Sequence, residues 1–196
     1  MIRGNNVKNM IFSDRDIKKA IVDKRITITP YSEEKVQPAS YDLQLDKHFL
    51  IFSRASNYVV DVKKPVDHLM VSHEIDDETP FVLHPGEFAL GLVLERIGVS
   101  NEVVGRLEGK SSLGRLGVIV HATAGFLDPG NELKMTLELH NIGPLPVLLY
   151  YKMPIAQMSF EALSSPCEHP YGTGKLGSKY FGADKPQASQ MHKNFS

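Results

Sequence analysis

The chain has 196 residues, 42% of them hydrophobic and 23% charged, and a net charge of −1. That balance describes one globular domain with a sizeable core, and it excludes a global basic field that would recruit nucleic acid. Its single cysteine, Cys167, excludes an intrachain disulfide and fits a reducing compartment. Residues 1–9 are polar and aperiodic and are expected to form an extension ahead of the domain. A short helix is predicted from Ser13: this residue suits an N-cap, and Asp14 and Asp16 suit the positive end of the dipole. Ile17, Ala20 and Ile21 share one face of it, and Lys24 and Arg25 fall at its carboxyl end. Beyond it the hydrophobic period becomes two. Tyr41, Leu43 and Leu45 alternate with Asp42, Gln44 and Asp46 as in a half-buried strand.

Phe81-Val82-Leu83, the turn His84-Pro85-Gly86 and the run from Phe88 to Leu94 read as a hairpin or two neighbouring strands. Val118 to Val120, Met135/Leu137/Leu139, Val147 to Tyr151 and Ile155 to Phe160 continue the series. Short strands punctuated by Pro and Gly, with one helix, predict an all-β sandwich or barrel. After Pro166 the composition changes to Gly172, Gly174, Gly177 and Gly182 with Tyr171, Lys175, Lys179 and Tyr180. Such a segment is either a disordered end or a lid that orders over a ligand.

Chemistry concentrates between Gly105 and Glu138. Gly109-Lys110-Ser111-Ser112 is no P-loop, because Gly105 leaves three residues rather than four before Gly109 and the surroundings are β. Gly109 and Gly114 still let main-chain amides approach an anion, Lys110 and Arg115 supply charge, and Ser111 and Ser112 supply hydroxyl donors. A surface hairpin with solvated charges is the alternative. Asp128-Pro129-Gly130 is ordinary turn chemistry, yet it follows the small apolar run Ala124 to Leu127, which suits an Asp held at a site. Glu138 alternates with Leu137 and Leu139, and reads as either a site carboxylate or a solvent-facing residue on an edge strand.

Other chemistries are excluded by what is missing. No H-x-x-x-H pair occurs among the eight histidines, and the H-x-E and P-C-x-x-C elements of zinc deaminases are absent, so any deamination here needs no zinc. Cys167 reads as an inert lone thiol. No apolar run reaches transmembrane length, and MIRGNNVKNM lacks the apolar core of a secretory signal, so a cytoplasmic address without a membrane partner is expected.

Taken in order, Gln37 to Leu43, His84-Pro85-Gly86-Glu87, Gly109 to Gly117, Thr123 to Gly130, Thr136 to Leu139, Ser165 to Gly172 and Gly177 to Tyr180 resemble the zinc-free dCTP deaminases of the trimeric dUTPase superfamily. The resemblance runs over nearly the whole chain from Met10. It implies a mainly β fold, a distorted jelly-roll β-barrel over residues 10–165 with a short N-terminal helix, and a C-terminal lid over 166–196. It also implies a homotrimer with active sites at subunit interfaces, acting on dCTP or dUTP, with Mg2+ carried on the substrate phosphates and no nucleic-acid partner.

The resemblance makes Glu138 the general base for water attack on C4 of cytosine, with Ser111 and Arg115 holding that water and Glu138. Asp128 belongs to the same centre, against the deoxyribose. Thr123 and Ala124 read the pyrimidine edge, and Lys110, Ser111 and Ser112 face the triphosphate with Tyr171 and Lys179 from the tail. Gly125-Phe126, where monofunctional relatives tend to carry His-Arg, and the Ser165 to Gly172 segment look like the bifunctional members, which form dUMP and pyrophosphate. A deaminase that releases dUTP, a dUTPase-like hydrolase and a non-catalytic nucleotide-sensing trimer are the alternatives. Three positions depart from the family pattern: Lys110 stands for Arg, Asn131-Glu132-Leu133 for an aromatic, a small residue and Gly, and Ala183 for a Gln that contacts phosphate.

Overall fold

A computed structural model describes residues 10–53, 59–123, 125–174, 176 and 178–195. The expected extension over 1–9, and Ala124, Lys175 and Gly177, lie outside the described residues. Helix α1 spans Asp14–Val22 and begins as its sequence dictates. The Ser13 hydroxyl accepts from the Asp16 N–H, while the Asp16 carboxylate accepts from the Ser13 N–H, a reciprocal capping box. Ile17 and Ala20 are buried against the sheets. Lys24 and Arg25 stand past the helix rather than on its last turn. Lys24 takes a left-handed φ of 58°, and the bonds Lys24 N–H to Ile21 C=O and Arg25 N–H to Ala20 C=O close a Schellman motif. That turn reverses the chain into the first strand.

Among the described residues thirteen strands follow, of which the first seven are β1 Ile26–Thr29, β2 Val36–Gln37, β3 Ser40–Gln44, β4 His48–Phe52, β5 Met70–Glu74, β6 Phe81–Leu83 and β7 Phe88–Val99. The second half contains β8 Val103–Gly109, a one-turn helix α2 at Ser111–Gly114, β9 Val118–Ile119, β10 Phe126–Leu127, β11 Glu132–Asn141, β12 Val147–Leu149 and β13 Pro154–Ala162. One sheet runs β5-β4-β7-β11-β9 with β1 also on β7, a second runs β10-β8-β13-β3-β2, and β12 pairs with β6. The ladders are antiparallel, and the alternation of apolar residues sends Tyr41, Leu43, Ile97, Leu107, Leu137, Leu139 and Phe160 into one shared core. The result is the mainly β, distorted jelly-roll fold of expectation. Its two sheets remain separate ladders and touch at the Leu45–Val93 bridge.

Of the two readings around His84-Pro85-Gly86, two successive strands form and a hairpin between them does not. Strand β6 pairs with β12, whereas β7 pairs with β1, β4 and β11, although both bury apolar side chains in the same core. Strand β7 also runs past Leu94 to Val99 through Glu95 and Arg96. A register shift opposite Lys134 and Thr136 lets it do so. Glu95 is fully buried there, and its carboxylate accepts from the Lys35 ammonium at 2.8 Å and the Gln44 N–H at 3.0 Å.

The tail folds back on its own subunit. Tyr171 N–H donates to Pro129 C=O at 2.8 Å, Lys134 N–H donates to Ala183 C=O at 2.8 Å, and Ala183 joins the main core. Arg96 pairs with both Glu132 and Asp184, tying the tail to β7 and β11. Further on, Ala188 packs with Val66 and Leu69 in a small separate cluster, and the Tyr180 hydroxyl accepts from the Gln190 N–H.

Candidate active site

Where the tail crosses the six-stranded sheet it roofs a cavity of about 590 Å³. Phe52, Val66, Met70, Phe88 and Leu90 make an apolar wall. Glu138 and Thr136 from β11, His121, Asp128 and Asn131 bring polar groups to it, and Tyr171 and Tyr180 come from the tail. A mostly apolar cleft with a few convergent polar groups is the form of a small-molecule site.

Glu138 does not lie on an edge strand. Strand β11 lies between β7 and β9, and Glu138 itself is half-buried opposite Leu90. Beside it β9 has already ended, since β9 pairs only with His140 and Asn141, so the gap is filled by the loop after β9. That loop turns its amides inward. Oε2 of Glu138 accepts from the N–H groups of Ala122 at 2.8 Å and Thr123 at 3.0 Å. The Thr123 hydroxyl lies 3.4 Å from both carboxylate oxygens. Two main-chain donors therefore orient the carboxylate through one oxygen and leave Oε1 the more available one.

Asp128 sits at the cavity rim on the turn before β11, and partial burial raises its pKa above the usual carboxylate range. The turn requires Gly130, whose φ is +83° and whose added Cβ would meet Pro170 Cβ at 2.5 Å. Pro170 and Tyr171 pack onto the turn for that reason, which carries Tyr171 to the cavity wall.

Of the residues expected at the phosphates, Tyr171 lines the cavity and the others do not. Lys110, Ser111, Ser112 and Arg115 belong to α2 and its flanks, pinned by buried Leu113, and none of them walls the cavity. Ser111, Ser112 and Arg115 are exposed, and the Lys110 ammonium pairs with Asp42 at 2.7 Å. Lys179 is likewise off the wall, donating to Asn194 Oδ1 at 2.5 Å. One subunit thus brings together Glu138, Thr123, Asp128 and Tyr171 but not the cationic turn.

A family model described as dCTP deaminase-like matches residues 11–163. The chain belongs to the dCTP deaminase-like family. A Corynebacterium jeikeium protein named dCTP deaminase, dUMP-forming, is 47% identical over 186 residues, 95% of this chain and 99% of its own. A Mycobacterium avium protein of the same name is also 47% identical over 186 residues, 95% of this chain and 98% of its own. Among solved structures, a 2′-deoxycytidine 5′-triphosphate deaminase from Agrobacterium tumefaciens shares the fold at TM-score 0.61 and 22% identity. The match covers 79% of this chain and 49% of that one, so this chain spans about half that protein's length.

Within this dCTP deaminase-like chain, Asn131, Thr136 and Tyr180 reach the cavity from segments that the sequence marked without giving them a role there, and His121 reaches it without any sequence signal. They arrive from a loop, a turn, a strand and the tail, and only the fold brings those together. Two of the family departures acquire a structural account. Glu132 is no charge in the cavity: it lies on the other side of β11, where it accepts from Thr27 at 2.9 Å and pairs with Arg96 at 2.9 Å. Gly98 makes room for that bridge, since a Cβ there would meet Thr27 Oγ1 at 2.5 Å. Ala183 walls the cavity as a docking residue of the tail rather than as a polar contact. Among the described residues no three His, Cys, Asp or Glu converge as metal ligands.

Proposed function

We propose that this chain is a dUMP-forming dCTP deaminase working as a homotrimer. The observation that carries the reading is Glu138, a half-buried carboxylate oriented by the Ala122 and Thr123 amides on the wall of a roofed cavity. The relatives at 47% identity and the Gly125-Phe126 pair support the dUMP-forming outcome. Glu138 takes a proton from water as its oxygen bonds to C4 of cytosine, then delivers that proton to the departing amino group, so that ammonia leaves and uracil remains. A positioned acid–base group contributes roughly 10²–10⁴-fold to such a step. Thr123 and Ala124 read the pyrimidine edge, and Asp128 lies against the deoxyribose.

The triphosphate is held by Lys110, Ser111 and Ser112 with Tyr171 and Lys179. Ser111 and Arg115 also hold the water with Glu138. Because α2 is exposed and away from its own cavity, a neighbouring subunit supplies that turn. Magnesium enters as the nucleotide complex and neutralises phosphate charge; the chain's own part is to bind the phosphates and exclude water. A second water then displaces pyrophosphate from the α-phosphorus of dUTP, giving dUMP. Residues 10–165 form the catalytic domain, and 166–196 form the lid that excludes water from it. The enzyme works in the cytoplasm; none of its described helices is long and apolar enough to cross a membrane.

The test is incubation with dCTP and magnesium, resolving dCTP, dUTP and dUMP over time. Concurrent appearance of ammonia and dUMP is expected. Unchanged dCTP removes the deaminase reading, and accumulating dUTP without dUMP removes the second hydrolysis.

A further inference from the structure

The cavity is wider than the chemistry placed in it so far. Strands β11, β7, β4 and β5 are successive neighbours, so the sheet face that presents Glu138 continues sideways across three more strands. Leu90 stands directly opposite Glu138 in the β7–β11 register, and Leu50 of β4 stands opposite Leu90. Residues two apart on a strand share a face, so Phe88 joins Leu90 and Phe52 joins Leu50. The Phe52 and Phe88 ring centroids are 6.2 Å apart. Leu90, Phe88, Phe52 and Met70, the β5 partner of Phe52, all wall the cavity. They make an apolar lane that leads from Glu138 across β7 and β4 to β5. The tail roofs its far end through Ala188, which packs with Val66 and Leu69, and Gln187 and Ser189 flank it there. The loop that supplies the Ala122 and Thr123 amides lies on the other side of Glu138, towards β9.

We propose that this lane receives a substituent at position 5 of the pyrimidine, so that the enzyme also deaminates 5-methyl-2′-deoxycytidine 5′-triphosphate (5-methyl-dCTP). This rests on the deaminase reading above. That reading puts C4 of the base at Glu138 and the sugar towards the Asp128 turn, which sets the axis from C4 to N1. The two edges of the ring then fall on either side of that axis. The edge with N3 and O2 is polar and belongs to residues 122–124, on the β9 side. The C5–C6 edge is apolar and turns over Leu90 and Phe88. Sugar hydroxyls and phosphates find no partner on those side chains, and neither does water. A methyl group at C5 therefore enters the lane without displacing a polar contact. The step balances as for cytosine: water adds at C4, the amino group leaves as ammonia, and 5-methyl-dCTP becomes dTTP. The second hydrolysis then gives dTMP and pyrophosphate.

The experiment compares wild type with Leu90→Phe, which fills the lane beside the ring, and Phe52→Trp, which narrows it further along. Each protein is given dCTP, 5-methyl-dCTP and 5-propynyl-dCTP, whose straight three-carbon group reaches further over β7 towards β4; ammonia release gives kcat and KM. Wild type should use 5-methyl-dCTP with kcat/KM within about fivefold of that for dCTP, and with a KM up to about fourfold lower, the worth of one buried methyl-sized group. Leu90→Phe should lower the ratio of 5-methyl-dCTP to dCTP by about fivefold or more through overpacking. Phe52→Trp should lower use of 5-propynyl-dCTP by a similar factor while sparing 5-methyl-dCTP. Phe52 is 40% exposed, so this variant reports even where Leu90→Phe fails to fold. Wild-type discrimination against 5-methyl-dCTP by more than about fivefold overturns the proposal, because a wall flush with C5 carries an overpacking cost of that size. Ratios unchanged in the variants also overturn it, because they take C5 away from β7 and β4. Failure of wild type to turn over dCTP removes the underlying deaminase reading, while dCTP turnover without 5-methyl-dCTP turnover removes only the lane.

Discussion

Glu138 and Asp128 are two carboxylates on one cavity with different surroundings, and their substitutions should separate accordingly. Glu138 is oriented by main-chain donors that a glutamine oxygen can equally accept from, so Glu138→Gln preserves the local geometry while losing the base. Deamination should fall by about 10³-fold or more, with dCTP affinity within about threefold, as read by ammonia release and calorimetry. Retained turnover would remove Glu138 from its role. Asp128 has its pKa raised by desolvation, so the folded state binds its proton more tightly than the unfolded state does. Stability therefore falls as pH rises from the normal Asp value through the raised one, and the ionised group is a net cost at neutral pH. Asp128→Asn should raise the melting temperature at pH 7, with the gain shrinking in acid, while impairing turnover. A lower Tm at pH 7 would contradict the desolvation argument. At this scale the sequence was readable where a residue type carries its own chemistry, as in Glu138. It was silent for His121, which only the fold brings beside residues distant in the chain.

Among the elements, the tail depends on few anchors. Residues 166–195 contribute little apolar area; Ala183 and Ala188 are their buried hydrophobic residues. Docking therefore leans on polar contacts, chiefly the Arg96, Glu132 and Asp184 cluster. Those side chains are partly exposed, so their attraction is screened by salt. Arg96→Ala should leave the barrel folded, with Tm altered by no more than a few degrees, but loosen the tail. The Lys134 amide reports this directly, because it donates to Ala183 rather than to a strand neighbour. Its hydrogen exchange should accelerate about five- to tenfold in the variant, and added salt should do the same to wild type. Unchanged protection would mean that burial of Ala183 holds the tail without the charges. Composition alone left the tail between a disordered end and a lid, since Gly, Lys and Tyr suit both. The contacts that dock it against β7 and β11 lie about 40 to 90 positions away in sequence.

For the whole molecule, one subunit holds the proposed base and sugar groups but turns α2 outward. If a neighbour completes each site, Glu138→Gln and Arg115→Ala homotrimers are each inactive by different defects. Unfolding and refolding the two together should then restore a measurable fraction of wild-type activity, because some mixed interfaces pair an intact Glu138 with an intact Arg115. No recovery, or a monomeric mass by light scattering, would place the site within a single subunit. The sequence by itself determined the capping box of α1, the two-residue period of the strands, the Gly130 turn and the carboxylate at 138, because each depends on contacts within a few residues. Strand partners were beyond it: β6 pairs with β12 rather than β7, and the strand that holds Glu138 lies between β7 and β9 rather than at an edge. Those outcomes depend on which apolar face packs on which, a property of the complete core. The segment from Gly105 to Glu138 contains both kinds of result. Its residue types pointed to nucleotide chemistry, but only the tertiary structure separated α2 from Glu138, because β9 and the loop after it fold between them.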